Sequence, residues 1–482
     1  MLDTNDPSIL WVSSSGKNGG DGTRENPFGG IERAIAIVKP GMTILLRAGV
    51  YGGDRTFDIS GTIRQPIRIA AEPGAVVEIR AACWFFYDVS DVVVSGLTFN
   101  NAPGVAVSVI GACARNRFDG LRFVNCGKTG AASSSLFFGG SGGSCNMVAN
   151  SRFEHEAAAE TKTRRVGLMV SDGDGDGGEP IVDHVFRKNY FVNYDYGVII
   201  GTGDAPAGQY GHIVEYTTVE QCGTAGILVK CGDTTVRNNR VVKCRASGIT
   251  VAAGRASVIE SNRIEECGTG IQLNGDGHSV VNNCIIRCKG EAIGVNGETK
   301  TQERRAASNI LIENNTCIDC GTVPENTRIA GVRIDEGTTA IVRSNLFSGK
   351  GKPYVCIGGP VPDERSASKL IIENIAADGC EGMDGAAAAG VAFNNAAGDD
   401  FSNDSGCGAA GAVLTPATFD PQAEAVDEAN DYARGAGALD DEECEEPQAE
   451  SAETAEPAAE DFEGFMSRFY SKDPVREDSS QR

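Results

Sequence analysis

The feature that most constrains this chain is a repeat with a period in the low twenties. Between Gly211 and Cys288 the sequence falls into rows. GILVK (Gly226–Lys230) leads to TTVRNNRVVKC, ending at Cys244; GITVAAG (Gly248–Gly254) leads to SVIESNRIEEC at Cys267; GIQLNG (Gly270–Gly275) leads to SVVNNCIIRC at Cys288. Gly226, Gly248 and Gly270 are 22 apart; Asn239, Asn262 and Asn283 are 23 and 21 apart; Cys222, Cys244, Cys267 and Cys288 are 22, 23 and 21 apart. Short β-branched runs broken by Gly and Asn at this spacing describe a solenoid of strands. No row carries a 3.6-residue apolar stripe, which argues against a leucine-rich repeat with helices. Each row is expected to be one coil of an all-β, parallel β-helix. Its apolar residues fill the bore, and its Asn and Cys stack on the equivalent residues of neighbouring coils. The crossover rule makes the coil right-handed.

A solenoid grows by adding coils, so a chain of 482 residues need not divide into several cores. The 62 glycines and 6% aromatic content suit many tight turns around a thin core of Val, Ile and Leu. The net charge of −23 is concentrated in one place: Asp420–Glu463 carries seventeen Asp or Glu against one Arg434, leaving −7 for the rest. The acidity therefore describes a tail and not the surface of the repeat region. Of the sixteen cysteines, Cys222, Cys244, Cys267, Cys288 and Cys320 occupy one repeat position, so stacked reduced thiols are expected there in preference to disulfides. The opening MLDTNDPSILWVSSSG has no charged start followed by an apolar run, and no stretch approaches a membrane span. The expectation is a cytoplasmic protein, or one exported by a leaderless route or as part of a virion.

Residues 1–50 read as an extended start and a short amphipathic helix over 31–38, covering the open end of the solenoid before the strand TILLRAG. Coils are expected over 51–375. Within them, the Gly- and Ser-rich stretch 127–144 reads as a loop leaving the solenoid and 160–183 as an insertion. Regular strands fade near Asn374, residues 376–415 form a Gly/Ala-rich cap, and 416–482 an acidic disordered tail. Phe462, Phe465, Met466 and Phe469 approximate helical spacing at its end, the pattern of a docking peptide for a protein partner or of an unstructured terminus.

In SDGDGDGGEPIVD, Asp172, Asp174 and Asp176 alternate, Gly177 follows, and Asp183 is twelfth in the loop counted from Asp172. That is the spacing of a calcium loop, with Glu179 at a position usually apolar; a flexible acidic turn is the other reading. Calcium is thus the candidate cofactor.

From Pro180 to about Gly321 the order of motifs resembles the chondroitinase-B and alginate lyase family of parallel β-helix polysaccharide lyases. The matching stretches are IVDHVFRKNYF, NYDYGVIIGTGD, HIVEYTTVEQCGTAGILVKCGD, GITVAAG, GIQLNGDGHSVVNN and AIGVNGETKTQERRAASNILIENNTCIDCG, with KPGMTILLRAGVY and GTIRQPIRIAAEPG resembling the family's opening coils. The resemblance implies a right-handed β-helix over roughly residues 30–350, and Lys230 as the base that removes the proton beside a uronate carboxylate. The family's assisting arginine falls at Ala252-Ala253-Gly254, leaving Arg255 as the nearby candidate; its calcium carboxylates fall at Gly223-Thr224-Ala225, and a further Glu/Arg motif at 196–199, both changed. His278 matches a family position, though a lone His in a turn is commonly structural; His184 reads equally as a packed, hydrogen-bonded residue.

Arg164, Arg165, Arg187, Lys188, Lys300, Arg304 and Arg305 are the remaining basic candidates. On one face, with Lys162 and Lys230, they would form a groove for an anionic polymer. Aromatic interleaving of the nucleic-acid kind is missing, so an acidic polysaccharide is the expected partner. Two functional classes follow: an enzyme cleaving a uronate polymer by β-elimination, and a non-catalytic β-helix of the tailspike or cell-surface type.

Overall fold

The computed structural model describes residues 6–394 except 18, 128–131, 157–163, 171–178, 202–209, 297, 301–302, 306, 322–330, 336, 350–352, 358–368, 374, 379–380 and 385–391. The acidic tail and its Phe462–Phe469 patch, together with Lys162, lie outside the described residues.

Each row forms one coil of three short strands, and equivalent strands of successive coils pair in parallel. This builds three long sheets of 15, 13 and 13 strands, called I, II and III in the order the chain visits them. Register is set by the bore. In sheet II, Phe99, Phe123, Phe153 and Phe191 are aligned partners on four successive coils. Their rings stack with centroids 5.3, 4.6 and 4.4 Å apart. Further along the same sheet Val219, Val241, Ile264 and Ile285 continue the column, all fully buried. Each such side chain contributes about 1.5–3 kcal/mol of burial. A one-residue slip would turn the whole column to solvent.

The corners explain the repeat. Leaving sheet I, the chain makes one left-handed residue (Tyr216, Asn238, Ser261, Asn282 and Asn314 have φ of 50 to 60°) and then buries a polar one. Oδ1 of Asn239, Asn262, Asn283, Asn315 and Asn345 each accepts the backbone N–H of the equivalent residue one coil earlier, at 2.9–3.0 Å. The ladder satisfies corner N–H groups that no strand can reach. Leaving sheet II, a second left-handed residue precedes the cysteine column. Glycine follows because the backbone there passes over the bore: a Cβ on Gly226 would lie 2.5 Å from Val241 Cγ1 and 2.7 Å from the Gly248 carbonyl.

The helix spans Ile31–Ile35 only, with Ile31 and Ala34 buried; the apolar spacing through Val38 continues as a turn. Two expectations are corrected. Ala132–Gly139, inside the stretch read as a loop, and Arg164–Val170, inside the expected insertion, are strands of sheet III that pair through Leu136↔Leu168 and Phe138↔Val170. The serines that suggested a loop are interior: Ser134 and Ser135 are fully buried, and Ser135 Oγ lies 2.9 Å from the Tyr194 hydroxyl. Strands also continue past Asn374, at Ala376–Asp378, Glu381–Asp384 and Ala392–Asn394. The thirteen described cysteines are free thiols.

Candidate functional site at the exit edge of sheet III

Strands of sheet III end at a common edge, where the chain turns back to sheet I. The run Ala225–Val229 is buried throughout because it is packed on both faces, which is why it reads as continuous apolar sequence. Lys230 is the first residue past it. Its N–H donates to the Ile200 carbonyl at 2.7 Å, fixing its backbone to the preceding coil, and the side chain is partly exposed. One coil later Ala252 N–H donates to Val229 at 2.7 Å, and the Arg255 carbonyl accepts Asp233 N–H at 2.8 Å. The two loops touch closely. Gly254 has φ +94°, and a Cβ there would lie 2.3 Å from the Cys231 carbonyl carbon. Lys230 and Arg255 therefore stand on adjacent, locked turns of one edge, with Arg255 exposed.

The hairpin of Glu298–Lys300 and Glu303–Arg305 leaves the same edge, two residues after the strand Ile293–Asn296. It carries Lys300, Arg304 and Arg305, pairing Thr299↔Arg304 and Lys300↔Glu303. Its root is three coils from Lys230, about 14 Å at the spacing of β-strands.

A polar network that the repeat pattern did not single out runs from the Ala252 turn past the hairpin root to the following coil. Asn274 Nδ2 donates to the Ala252 carbonyl at 3.4 Å, and Asn296 Nδ2 to Asn274 Oδ1 at 3.0 Å. Arg333 contacts Asn296, pairs with Glu291 at 3.0 Å and with Asp335 at 2.7 Å. Burial opposes the guanidinium charge, and the two carboxylates more than offset it. Gly294, the partner of Arg333 in the next strand, leaves the space: a Cβ there would meet Glu291 Oε1 at 2.9 Å. The outer face of sheet III changes along the solenoid. Met169, Ile199 and Leu228 are followed in register by Thr250, Gln272, Gly294 and Arg333, so the polar stretch lies beside the edge that holds Arg255. The rows around Arg333 follow a lengthened loop, which hides their register from a periodicity argument.

The other basic candidates are not on this edge, so the single basic face expected from sequence is corrected. Arg165 is at the opposite, entry edge of sheet III. It is 5% exposed, its Nε lies 3.5 Å from Asp195 Oδ2, and Nη1 lies 3.2 Å from His155 Nδ1. Arg164, next to it, is exposed with its guanidinium 5.3 Å from the Tyr196 ring centre. Arg187 is on the outer face of sheet I, 3.6 Å from Glu215, which Arg237 also holds at 2.9 Å. Alternating charges on in-register strands pair with each other, which neutralises them as a docking surface. Lys188 supplies a left-handed corner residue, φ +54°.

His278 is fully buried: Nδ1 accepts Ser257 N–H at 3.1 Å, and Nε2 lies 3.1 Å from the Asn274 carbonyl. It is closed to a polymer, and instead braces the turn that carries Asn274. His184 and His212 are buried in the same column, at the same corner on earlier coils. Desolvation lowers both, His212 to about 4, and the neighbouring His212 lowers His184 further.

Of the calcium loop, Asp172, Asp174 and Asp176 lie outside the described residues. Asp183 is exposed with φ +57°. Among the described residues no group of three His, Cys, Asp or Glu is placed to hold a metal, and no helix is long and apolar enough to cross a membrane.

These features define a right-handed parallel β-helix. The family described as "Right handed beta helix region" matches residues 175–321. Among solved structures, the chain is similar to the PL6 family alginate lyase AlyGC, with TM-score 0.56 and 18% identity over 80% of this chain and 53% of that one. It is similar also to a mannuronic acid specific family 6 polysaccharide lyase from human gut microbiota, with TM-score 0.55 and 18% identity over 76% and 87% of the two chains. The chain thus spans about half of the former and most of the latter. A curated relative, pectate lyase L of Thermoclostridium stercorarium, is 39% identical over 79 residues, 16% of this chain and 6% of its own length.

Proposed function

We propose that this protein binds an acidic, uronate-containing polysaccharide along the exit edge of sheet III and cleaves it by β-elimination, with Lys230 as the base. The observation that carries the reading is the placement of Lys230 and Arg255 on adjacent turns of one edge. The hairpin bearing Lys300, Arg304 and Arg305 leaves that edge further along the solenoid. A linear anionic polymer lying along the axis would meet these cations in sequence, over the hydrogen-bonding floor of Thr250 and Gln272. The names of the structural neighbours and of the short pectate lyase match support the same class of ligand.

The elimination asks for three things together. Lys230, as the neutral amine, takes the proton beside the carboxylate. The released electron pair forms the C4–C5 double bond while the C4–O bond breaks, and the departing oxygen takes up a proton. Charge on the carboxylate has to be neutralised for that proton to become acidic. Arg255, on the next turn of the same edge, is the candidate cation for that part. Calcium held by Asp172, Asp174, Asp176 and Asp183 is the second candidate, tested by calorimetric titration of the wild type against Asp174→Ala.

The deciding experiment incubates the protein with alginate, chondroitin and polygalacturonate and follows the ultraviolet absorbance of unsaturated uronate ends. Lys230→Ala is expected to lower the rate by 10²-fold or more, as order-of-magnitude loss of a general base. Full activity in that variant would remove Lys230 from the mechanism. Binding without any unsaturated product from the wild type would leave the non-catalytic β-helix as the correct class. That outcome has its own support, because Glu291 and Asp335, the carboxylates of the network around Arg333, are already paired with it.

A further inference from the structure

One apolar column of the bore begins with a charge. On sheet III, Arg55 is the in-register partner of Trp84, a bore residue, and Val107, Leu136 and Leu168 continue that column. Every later member to Val355 is aliphatic and buried. Arg55 thus holds a core position on the first coil, where a guanidinium is costly unless its donors are met. On sheet II, Tyr51 likewise begins the column that runs through Ile79 and Phe99. Gly49–Tyr51 and Arg55–Phe57 are the terminal strands of their sheets. The helix Ile31–Ile35 packs on the first two strands of sheet I, Ile9–Lys17 and Thr43–Leu46. At this mouth of the bore a cavity of about 510 Å³ remains, lined by Leu46, Tyr51, Arg55, Ile79 and Trp84 and by Glu32 of the helix.

The guanidinium is held in place without being satisfied. Nη1 donates to the Asp54 carbonyl at 2.6 Å and Nη2 to the Gly52 carbonyl at 3.0 Å, which fixes its plane. Nη2 also pairs with Glu32 Oε1, while Nε is buried and has no hydrogen-bond partner among the described residues. Nε and Nη2 form one edge of the fork, an edge that can take both oxygens of a carboxylate. Here it meets a side chain that is itself 57% exposed. An ion pair with an exposed, flexible partner is worth little, so a second carboxylate can replace it. Glycines leave room for the arrangement: a Cβ on Gly53 (φ +85°) would lie 2.7 Å from Nη1, and one on Gly30 would strike the Glu32 carboxylate.

We propose that this mouth binds a small organic carboxylate of about monosaccharide size, its carboxylate on the Nε–Nη2 edge of Arg55 in place of Glu32. The Tyr51 hydroxyl is already taken by the Val12 and Arg47 carbonyls, so Tyr51 offers the body of the ligand a fixed ring. The cavity falls in the size range of small-ligand sites, and its lining has their usual make-up, mostly apolar walls with few polar groups to orient the ligand. A carboxylate fits better than a phosphate because the open edge belongs to one guanidinium that a monoanion already half answers. The site lies six strands along sheet III from the strand before Lys230, about 29 Å away. It is therefore separate from the exit edge and does not depend on the reading given for that edge.

The test titrates the full chain with sodium galacturonate by calorimetry, with galactose and inorganic phosphate as comparisons. The expected result is one saturable site for galacturonate and none for galactose. Lys230→Ala should keep that site, which separates it from the exit edge. Arg55→Met, which suits a core position, should abolish it. Glu32→Gln, which removes the competing carboxylate, should tighten it by up to about fivefold. No binding to Glu32→Gln at millimolar galacturonate would overturn the proposal, as would unchanged binding to Arg55→Met, loss of binding in Lys230→Ala, or equal binding of phosphate. Glu32 is exposed, so its variant decides the matter even if Arg55→Met fails to fold.

Discussion

Asn262 accepts the backbone N–H of Asn239 on Oδ1 at 3.0 Å, while its own Nδ2 reaches the Val236 carbonyl at 2.8 Å and Asn283 Oδ1 at 3.0 Å. One side chain thus satisfies the corners of three coils. Asn262→Ala removes the acceptor for a buried N–H and the donor for a buried carbonyl. The expected cost is about 2–6 kcal/mol, at 1–3 kcal/mol per orphaned group. Urea unfolding should show it as a lower midpoint with an unchanged slope; a loss below about 0.5 kcal/mol would mean that water replaces the ladder.

Gly226→Ala should destabilise far more than Gly223→Ala. At position 226 the new methyl meets Val241 and a backbone carbonyl, neither able to move far, whereas at 223 its nearest neighbour is the end of the Asp195 side chain at 2.8 Å. The expected difference is about 1–3 kcal/mol, the usual range for overpacking. Thermal melts of the two variants make the comparison.

The two arginines displaced from the expected groove should part in the same way. Arg187→Ala removes one of two cations around the buried Glu215, leaving Arg237 at 2.9 Å, and should cost about 1 kcal/mol or less. Arg165→Ala leaves Asp195 without its buried partner and should cost about 3 kcal/mol. Neither is expected to weaken polysaccharide binding by itself; measuring binding on the folded Arg187→Ala variant checks that directly.

Stability should fall on acidification through the histidine range. His184 and His212 are buried neutral, with folded pKa values below the unfolded 6.5 and that of His212 about 4. Between these values the unfolded chain binds more protons, so the contribution is complete above pH 6.5 and is lost as pH falls toward 4. Each group should remove about 1.4 kcal/mol per pH unit across that window. His212→Gln should flatten the dependence by about one proton's slope, measured as unfolding free energy from pH 7 to 4.5.

The period, the class of fold and the stacking columns were legible in the sequence, because each coil repeats the same local problem. Val241, Ile264 and Ile285 must enter the bore, a polar group must satisfy the corner, and Gly226 must clear the strand beneath. Spacing of 21 to 23 residues records those demands directly. Lys230 could be placed at a strand end for the same reason. The left-handed corners were not legible, since Tyr216, Lys188 and Glu266 occupy them at about 1 kcal/mol each with no glycine to mark the site. Nor was the strand Ala132–Gly139, whose Ser134 and Ser135 are buried where composition suggested a loop. Tertiary structure alone decided which edge of which sheet each basic residue occupies. In a coil of three faces, the corners decide which face a side chain takes, so Arg165 ended at the entry edge of sheet III, Arg187 on the outer face of sheet I and Lys230 at the exit edge of sheet III. The Arg333–Glu291–Asp335 network had no trace in the pattern, because it joins residues 42 and 2 positions apart across a lengthened row and exists only once the coils are stacked.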